Sequence, residues 1–295
     1  MTLEEEFAAF QTRMEKNAEV LGVVLSGSQA REGMATAHSD YDLLLVVADG
    51  AEEALAGEAR RDTRMDVSAM PLGEFRGHAL PGSGTEWNRY AFTHAKLLKD
   101  TPEALIAGLV TAKGRLSPAE AAETAPEVLD GFLNSLYRCL KNERDGNIHG
   151  ERLDAAEALP FYLTYVFALH GRVRPYNKYL SWELRHRPLG RPEWAHDHLL
   201  GLLAEALTPT AVRAVRIMFN EVEPHARAAG HGSVLDAWGE DLIFMRGNSG
   251  DSQSSQETSE ALPPQVPSAP SCRDLGGPGS GGAAGRPDPP TRSLS

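Results

Sequence analysis

The sequence predicts an α+β protein: a small mixed β-sheet flanked by helices over residues 1–115, an all-α helical bundle over 116–246, and a disordered tail over 247–295. Three observations carry this reading. Apolar or alternating runs at 20–26, 40–47 and 64–70 are short and bounded by turn-forming residues, as strands are. Beyond residue 118, apolar residues recur at helical spacing, as in Val128, Phe132, Leu136, Leu140 and again in Leu199, Leu202, Leu203, Ala206. From Gly247 on, the chain is rich in glycine, proline and serine, lacks aromatic residues, and cannot repay its ordering entropy by burial.

The elements follow in order. Thr2 and Glu5 form a capping-box pattern, and Leu3, Phe7, Phe10 and Met14 place a helix over residues 3–17. Val20 to Ser26 reads as a buried strand that ends in a Gly27-Ser28 turn, and Ala30 to Met34 as a helical turn with free amides. The second strand spans Asp40 to Val47, and Glu52 to Glu58 is a short helix or a loop. Arg60-Arg61-Asp62 reads as a solvated turn before a third strand from Arg64 to Met70. A Pro/Gly-rich loop runs from Gly77 to Gly84, and Glu103 to Val110 begin a helix. Glycine and proline cluster at 114–118, where the bundle of four or five helices starts. The last packed element is expected at Asp236 to Leu242, so the tail should be removable without loss of activity.

Composition narrows the functional classes. With 295 residues, 41% apolar and 24% charged, the chain can bury a core of one or two domains. Its apolar runs, such as 43–47 and 161–169, are too short or interrupted to span a bilayer, and its acidic start is unlike a signal peptide, so a cytoplasmic protein without membrane partners is expected. Two cysteines, Cys139 and Cys272, support neither a disulfide framework nor a zinc site. The net charge is -12 for the chain, and without the tail 26 basic and 36 acidic residues leave -10. A long nucleic acid partner is therefore disfavoured.

The chemistry concentrates at residues 27–42. Alternate side chains of a strand share a face, so Asp40 and Asp42 point together while Tyr41 points away. Adjacent carboxylates repel unless a cation lies between them, and hard oxygen ligands suit magnesium. Asp66 opens the third strand on the same face as Ser68 and Met70, with Asp62 the competing acid.

Gly27-Ser28, a spacer of about ten residues and Asp40-Tyr41-Asp42 after an apolar strand resemble the signature of the DNA polymerase β-like nucleotidyltransferase superfamily. The order of elements over the first 245 or so residues resembles its small-molecule branch, the aminoglycoside nucleotidyltransferases and their relatives. The resemblance implies a magnesium-dependent enzyme that transfers a nucleoside monophosphate, AMP from ATP in the first instance, to a hydroxyl of a small acceptor such as an antibiotic. It makes Asp40, Asp42 and Asp66 the catalytic and metal-binding set for two Mg2+ ions, with Asp66 as base, second-metal ligand or both. It places Gly27, Ser28 and Ser39 at the nucleotide, although Ser39 is equally read as a cap or turn into the strand. Lys178, a cation in the first turn of a helix where the dipole disfavours it, matches by position a lysine that reaches the triphosphate across an interdomain cleft. The alternative is an antitoxin-like or regulatory module of the same fold acting on a protein or tRNA.

Other polar patterns carry less. Lys141, Arg144 and Arg138 share a helical stripe and read chiefly as a solvated or paired face, with anion contact the other reading. Arg31 is open between phosphate contact and a surface pairing near Glu32. His196 and His198 cannot share a helical face, which argues against a metal there. The Arg144 to His149 spacing matches that of HEPN-type ribonucleases, but Gly146-Asn147 would break the helix between them.

Overall fold

A computed structural model describes residues 1–247, so the expected tail beyond Gly247, with Cys272, lies outside the described residues. The first helix, α1 (Leu3–Lys16), is closed by the capping box: the Glu5 amide donates to Thr2 Oγ1 at 3.1 Å and the Thr2 amide to Glu5 Oε2 at 2.8 Å. Five strands follow: β1 (Val20–Leu25), β2 (Tyr41–Val47), β3 (Arg60–Arg61), β4 (Met65–Pro71) and β5 (Lys96–Lys99). They form one mixed sheet in the order β3-β4-β2-β1-β5, with β2 and β4 parallel and the other pairs antiparallel.

The pleat divides β2 between two cores. Tyr41 stacks on Phe7 of α1 with ring centroids 4.0 Å apart, and Leu43, Leu45 and Val47 share that face with Phe10, Met14, Val23 and Val67. Val46 and Val24 face the other way, against Phe75, Phe92 and Ile106. That second face is covered by α3 (Leu72–Gly77), the 3-10 segment Glu86–Phe92 and α4 (Leu105–Lys113); a short α2 (Glu52–Leu55) links β2 to β3. Asp42 belongs to this second face, opposite Tyr41, as alternation requires.

One expectation is corrected here, and two segments gain detail. Residues 60–61 are not a turn but an edge strand, paired at Arg60↔Val67 and Arg61↔Asp66, while Asp62 makes the turn by accepting from the amides of Arg64 and Met65. The helix α3 was not expected in the segment before the Gly77–Gly84 loop. Residues 30–34, expected as a helical turn, form successive turns, with the Arg31 amide bonded to the Ser28 carbonyl and the Met34 amide to that of Arg31.

Beyond residue 117 the described residues hold seven α-helices. Five are of ten residues or more: α5 (Pro118–Arg144), α6 (Ile148–Ala168), α7 (Asn177–His186), α8 (His196–Glu205) and α9 (Ala211–Ala228). Two short ones, α10 (Gly232–Asp236) and α11 (Asp241–Arg246), close the bundle, with Leu235, Leu242 and Met245 buried. Ser117 and Glu120 cap α5 reciprocally and Pro118 supplies its fixed φ at the first turn. The bundle core, from Ala125 to Met245, is separate from the two cores of the sheet. No described helix is long and apolar enough to cross a membrane.

Two polar ties fasten the helices to the sheet. Arg89 donates to the carbonyls of Lys113 at 3.0 Å and Arg115 at 2.8 Å, and to Glu120 at 2.9 Å. Glu183 of α7, only 1% exposed, accepts from Tyr90 at 2.8 Å, from His94 at 2.6 Å and from Arg172. Around this carboxylate Tyr90 packs on Tyr176 and Tyr179, and His94 on Trp182, whose indole N–H reaches the Glu32 carbonyl at 2.8 Å.

Candidate active-site cleft

The turn after β1 is shaped around one carboxylate. The Ser26 amide donates to the Asp42 carbonyl at 2.9 Å, which carries the chain directly past the start of β2. Gly27 then adopts φ +65°, and a Cβ at this position would lie 1.7 Å from Asp42 Oδ2. Glycine is required twice over, for its left-handed backbone and for its missing side chain.

The parallel pairing of β2 with β4 sets Asp42 beside Asp66 in register, on the same face of the sheet. Burial, then the charges of Asp40 and Asp66, push the Asp42 carboxyl above its ordinary range, while Lys178 and Arg31 pull it back. Both of the other expected acids are thus felt at Asp42. Asp66 also meets Arg61 of β3, Nε to Oδ2 at 3.6 Å, at a position where Arg61 is 89% exposed. Among the described residues no three Asp, Glu, His or Cys side chains converge tightly enough to enclose one metal ion. The acids therefore stand as a register pair with Asp40 just ahead of the strand.

Asp42 separates two cavities. One, of about 400 Å³, lies over the sheet and is lined by Asp42, Asp66, Ser68, Arg61, His78 and Trp87 among others. The second, of about 270 Å³, lies toward the bundle and includes Gly27, Arg31, Asp42, Tyr176, Lys178 and Tyr179. Ser26, Asn88 and Ala91 border both. Asn88 is fixed from two sides, accepting from Tyr176 Oη at 3.2 Å and pairing with His78 Nε2 at 2.9 Å.

Two cations face Asp42 across the second cavity. Lys178 is exposed in the first turn of α7, its Nζ 5.3 Å from the Tyr179 ring, and it forms no ion pair among the described residues. Arg31 is buried, its guanidinium carbon 4.1 Å from the Tyr179 ring and 4.9 Å from that of Tyr90, with Nη1 donating to the Gly27 carbonyl at 2.6 Å. Its Nε is buried without a partner. The spacing of its neighbours gave no hint of this, because the tyrosines that hold it come from distant segments.

Of the residues expected at a nucleotide, Gly27 and Lys178 line the second cavity, and Ser28 and Ser39 line neither. The Ser28 hydroxyl, 2% exposed, donates to Ser39 Oγ at 2.9 Å, and Ser39 Oγ in turn accepts from the Thr36 amide at 2.9 Å. This pair ties the Gly27 turn to the loop before β2. Arg61, Asn88 and Trp87, the last 72% exposed, are cavity residues for which the sequence offered no signal.

The remaining polar patterns resolve into pairings away from the cleft. Arg138 binds Asp154 and Glu157, Arg144 binds Asp145, and Lys141 lies over the Tyr137 ring. His196 binds Asp197 and Ser181, whereas His198 binds Glu221, so the two histidines share no site. Gly146 at φ +71° ends α5 between Arg144 and His149. No protein-family model matches this chain, and no curated protein matches it.

Proposed function

We propose that this chain is a magnesium-dependent nucleotidyltransferase of the DNA polymerase β-like superfamily that moves a nucleoside monophosphate from ATP or another triphosphate to a hydroxyl of a small acceptor. The observation that carries the reading is the register pairing of Asp42 with Asp66 beside the Gly27 turn, with Lys178 and Arg31 across the cavity. Acidic oxygens on one side and cations on the other are what a metal–triphosphate needs.

The donor set fits a hard divalent cation: Asp42 feels the charges of Asp40 and Asp66, a repulsion that such an ion relieves. Asp40, Asp42 and Asp66 would hold Mg2+, which when bound draws charge from the phosphoryl oxygens and the leaving pyrophosphate. Lys178, exposed and in no ion pair among the described residues, would meet the triphosphate tail. Arg31 holds the turn through the Gly27 carbonyl and adds positive potential behind it. Asp66, beside Asp42 on the larger cavity, is placed to take the proton of an acceptor hydroxyl. That cavity combines two carboxylates with the exposed Trp87 ring, a lining that suits a hydroxylated, cationic small molecule such as an aminoglycoside.

The test is pyrophosphate release from ATP with magnesium, with and without a panel of hydroxylated antibiotics, for the native chain and Asp42→Ala. Acceptor-dependent release that disappears in the variant is the expected result. The rival reading, a nucleotide- or partner-binding module without turnover, draws on Arg61 at Asp66, which balances one of the acids from within the chain. No release under any condition, together with a co-purifying partner, would select that module.

A further inference from the structure

On the far side of α7 from the cleft lies a third cavity, of about 410 Å³, between α6, α7 and α8. Its walls are apolar, chiefly Leu159, Leu163, Leu180, Leu200 and Leu203, with Leu207 at its rim 64% exposed. One charged residue enters this lining, Arg174, and no carboxylate does. The guanidinium makes one hydrogen bond among the described residues, from Nη2 to Asn177 Oδ1 at 2.9 Å. Among the described residues its Nε is buried without a partner and it joins no ion pair, unlike Arg172 nearby in sequence, which is held by Glu183. Burial alone draws the Arg174 pKa down, with no neighbouring acid to offset it.

An arginine half-buried among leucines, with a buried Nε that has no partner among the described residues, is costly to hold there unless something completes it. The complement of this lining is a molecule with an apolar body and a single negative head. We propose that the groove is a second ligand site, for a small amphipathic carboxylate whose chain or ring lies along the leucines and whose head pairs with Arg174. Asn177, already turned to Arg174, keeps the guanidinium at the groove wall. The site is independent of the reading given above for the cleft.

Isothermal titration of the full chain with octanoate, octan-1-ol and octylammonium separates the contribution of the head from that of the tail. Octanoate should bind about tenfold or more tightly than the alcohol, the scale of one charge-assisted hydrogen bond, and octylammonium more weakly still. In Arg174→Met the preference for octanoate over the alcohol should vanish. Leu207→Glu, at an exposed position that leaves the core untouched, should repel octanoate and favour octylammonium, and it serves as the second variant if Arg174→Met does not fold. Equal binding of the three probes, no binding of octanoate, or an octanoate preference that survives both substitutions would overturn the proposal. Equal binding would instead mark a plain apolar face of the kind that docks a partner protein.

Discussion

Asp42 Oδ2 occupies almost the point at which a Cβ of residue 27 would stand, 1.7 Å away, so the carboxylate and the bare glycine define each other's place. Gly33 offers the control within the same loop: its φ is +71°, close to the +65° of Gly27, but nothing lies within 4 Å of its missing Cβ. Gly33→Ala should cost about 1–2 kcal/mol in stability, the left-handed backbone term alone, and leave turnover intact. Gly27→Ala should carry that same term and also displace Asp42, lowering turnover by about a hundredfold. Melting curves and pyrophosphate release on both variants check this, and equal activity of the two would refute the dependence of Asp42 on Gly27.

Asp42 is held against its own charge, and removing that charge should separate stability from activity. Burial and the neighbouring Asp40 and Asp66 raise its pKa in the folded state. For a carboxyl with a raised folded value, the stabilising contribution is complete below the unfolded pKa and is lost as pH rises through the folded one. Asp42→Asn should therefore melt higher than the native chain at pH 7, by a few degrees, and the difference should disappear toward about pH 3. The same variant should lose turnover by about a thousandfold or more, since several kcal/mol of transition-state charge goes unanswered. Calorimetry across pH reads the first outcome, and a lower neutral-pH melt for the variant would contradict it.

Lys178 enters twice, as a cation at the second cavity and as an influence that lowers the Asp42 pKa. Lys178→Met should leave the fold unchanged, because the side chain is exposed. It should raise the KM for the triphosphate by about tenfold, as expected for one lost charge-assisted contact. The acid limb of the pH–rate profile should move upward, because Asp42 loses a charge that favours its ionised form. A profile that stays fixed while KM rises would confine Lys178 to substrate contact.

Glu183 predicts acid sensitivity. Burial acts to raise its pKa, but hydrogen bonds from His94, Arg172 and Tyr90 outweigh it and hold the carboxyl at about 2, below the ordinary 4.5. A lowered folded value contributes stability that is present above the unfolded pKa and is lost as pH falls toward the folded one. Melting temperature should thus decline between about pH 4.5 and pH 2 in the native chain, and less steeply in Glu183→Gln. At neutral pH the variant should lose about 3 kcal/mol, because Arg172 is left buried beside a neutral amide. Parallel pH profiles for the two proteins would rule out this role.

Local pattern made part of the molecule readable and left part opaque. The Thr2–Glu5 box, the alternation through Tyr41 and Asp42, and the placing of Asp66 on one face with Ser68 are relations between near neighbours, and each is visible in a string of letters. Arg60–Arg61 escaped because a two-residue charged edge strand carries no apolar period, and α3 because six residues hold too few turns to show one. Arg31 escaped for a different reason. Its meaning lies in Tyr90, 59 residues away, and in Tyr179 on another helix, so no spacing encodes it. The Ser28 hydroxyl follows the same rule, since its hydrogen bond to Ser39 Oγ, 11 residues on, leaves no trace in local spacing.

The buried carboxylate of α7 also ties the 86–94 segment to the bundle. Parting the 86–94 segment from α7 would take the Tyr90 and His94 hydrogen bonds away from a carboxylate that is 1% exposed and leave it Arg172 alone, so separating the two walls carries an electrostatic cost. These bonds are made within the chain itself, the arrangement of a preorganised slot rather than of a hinged jaw.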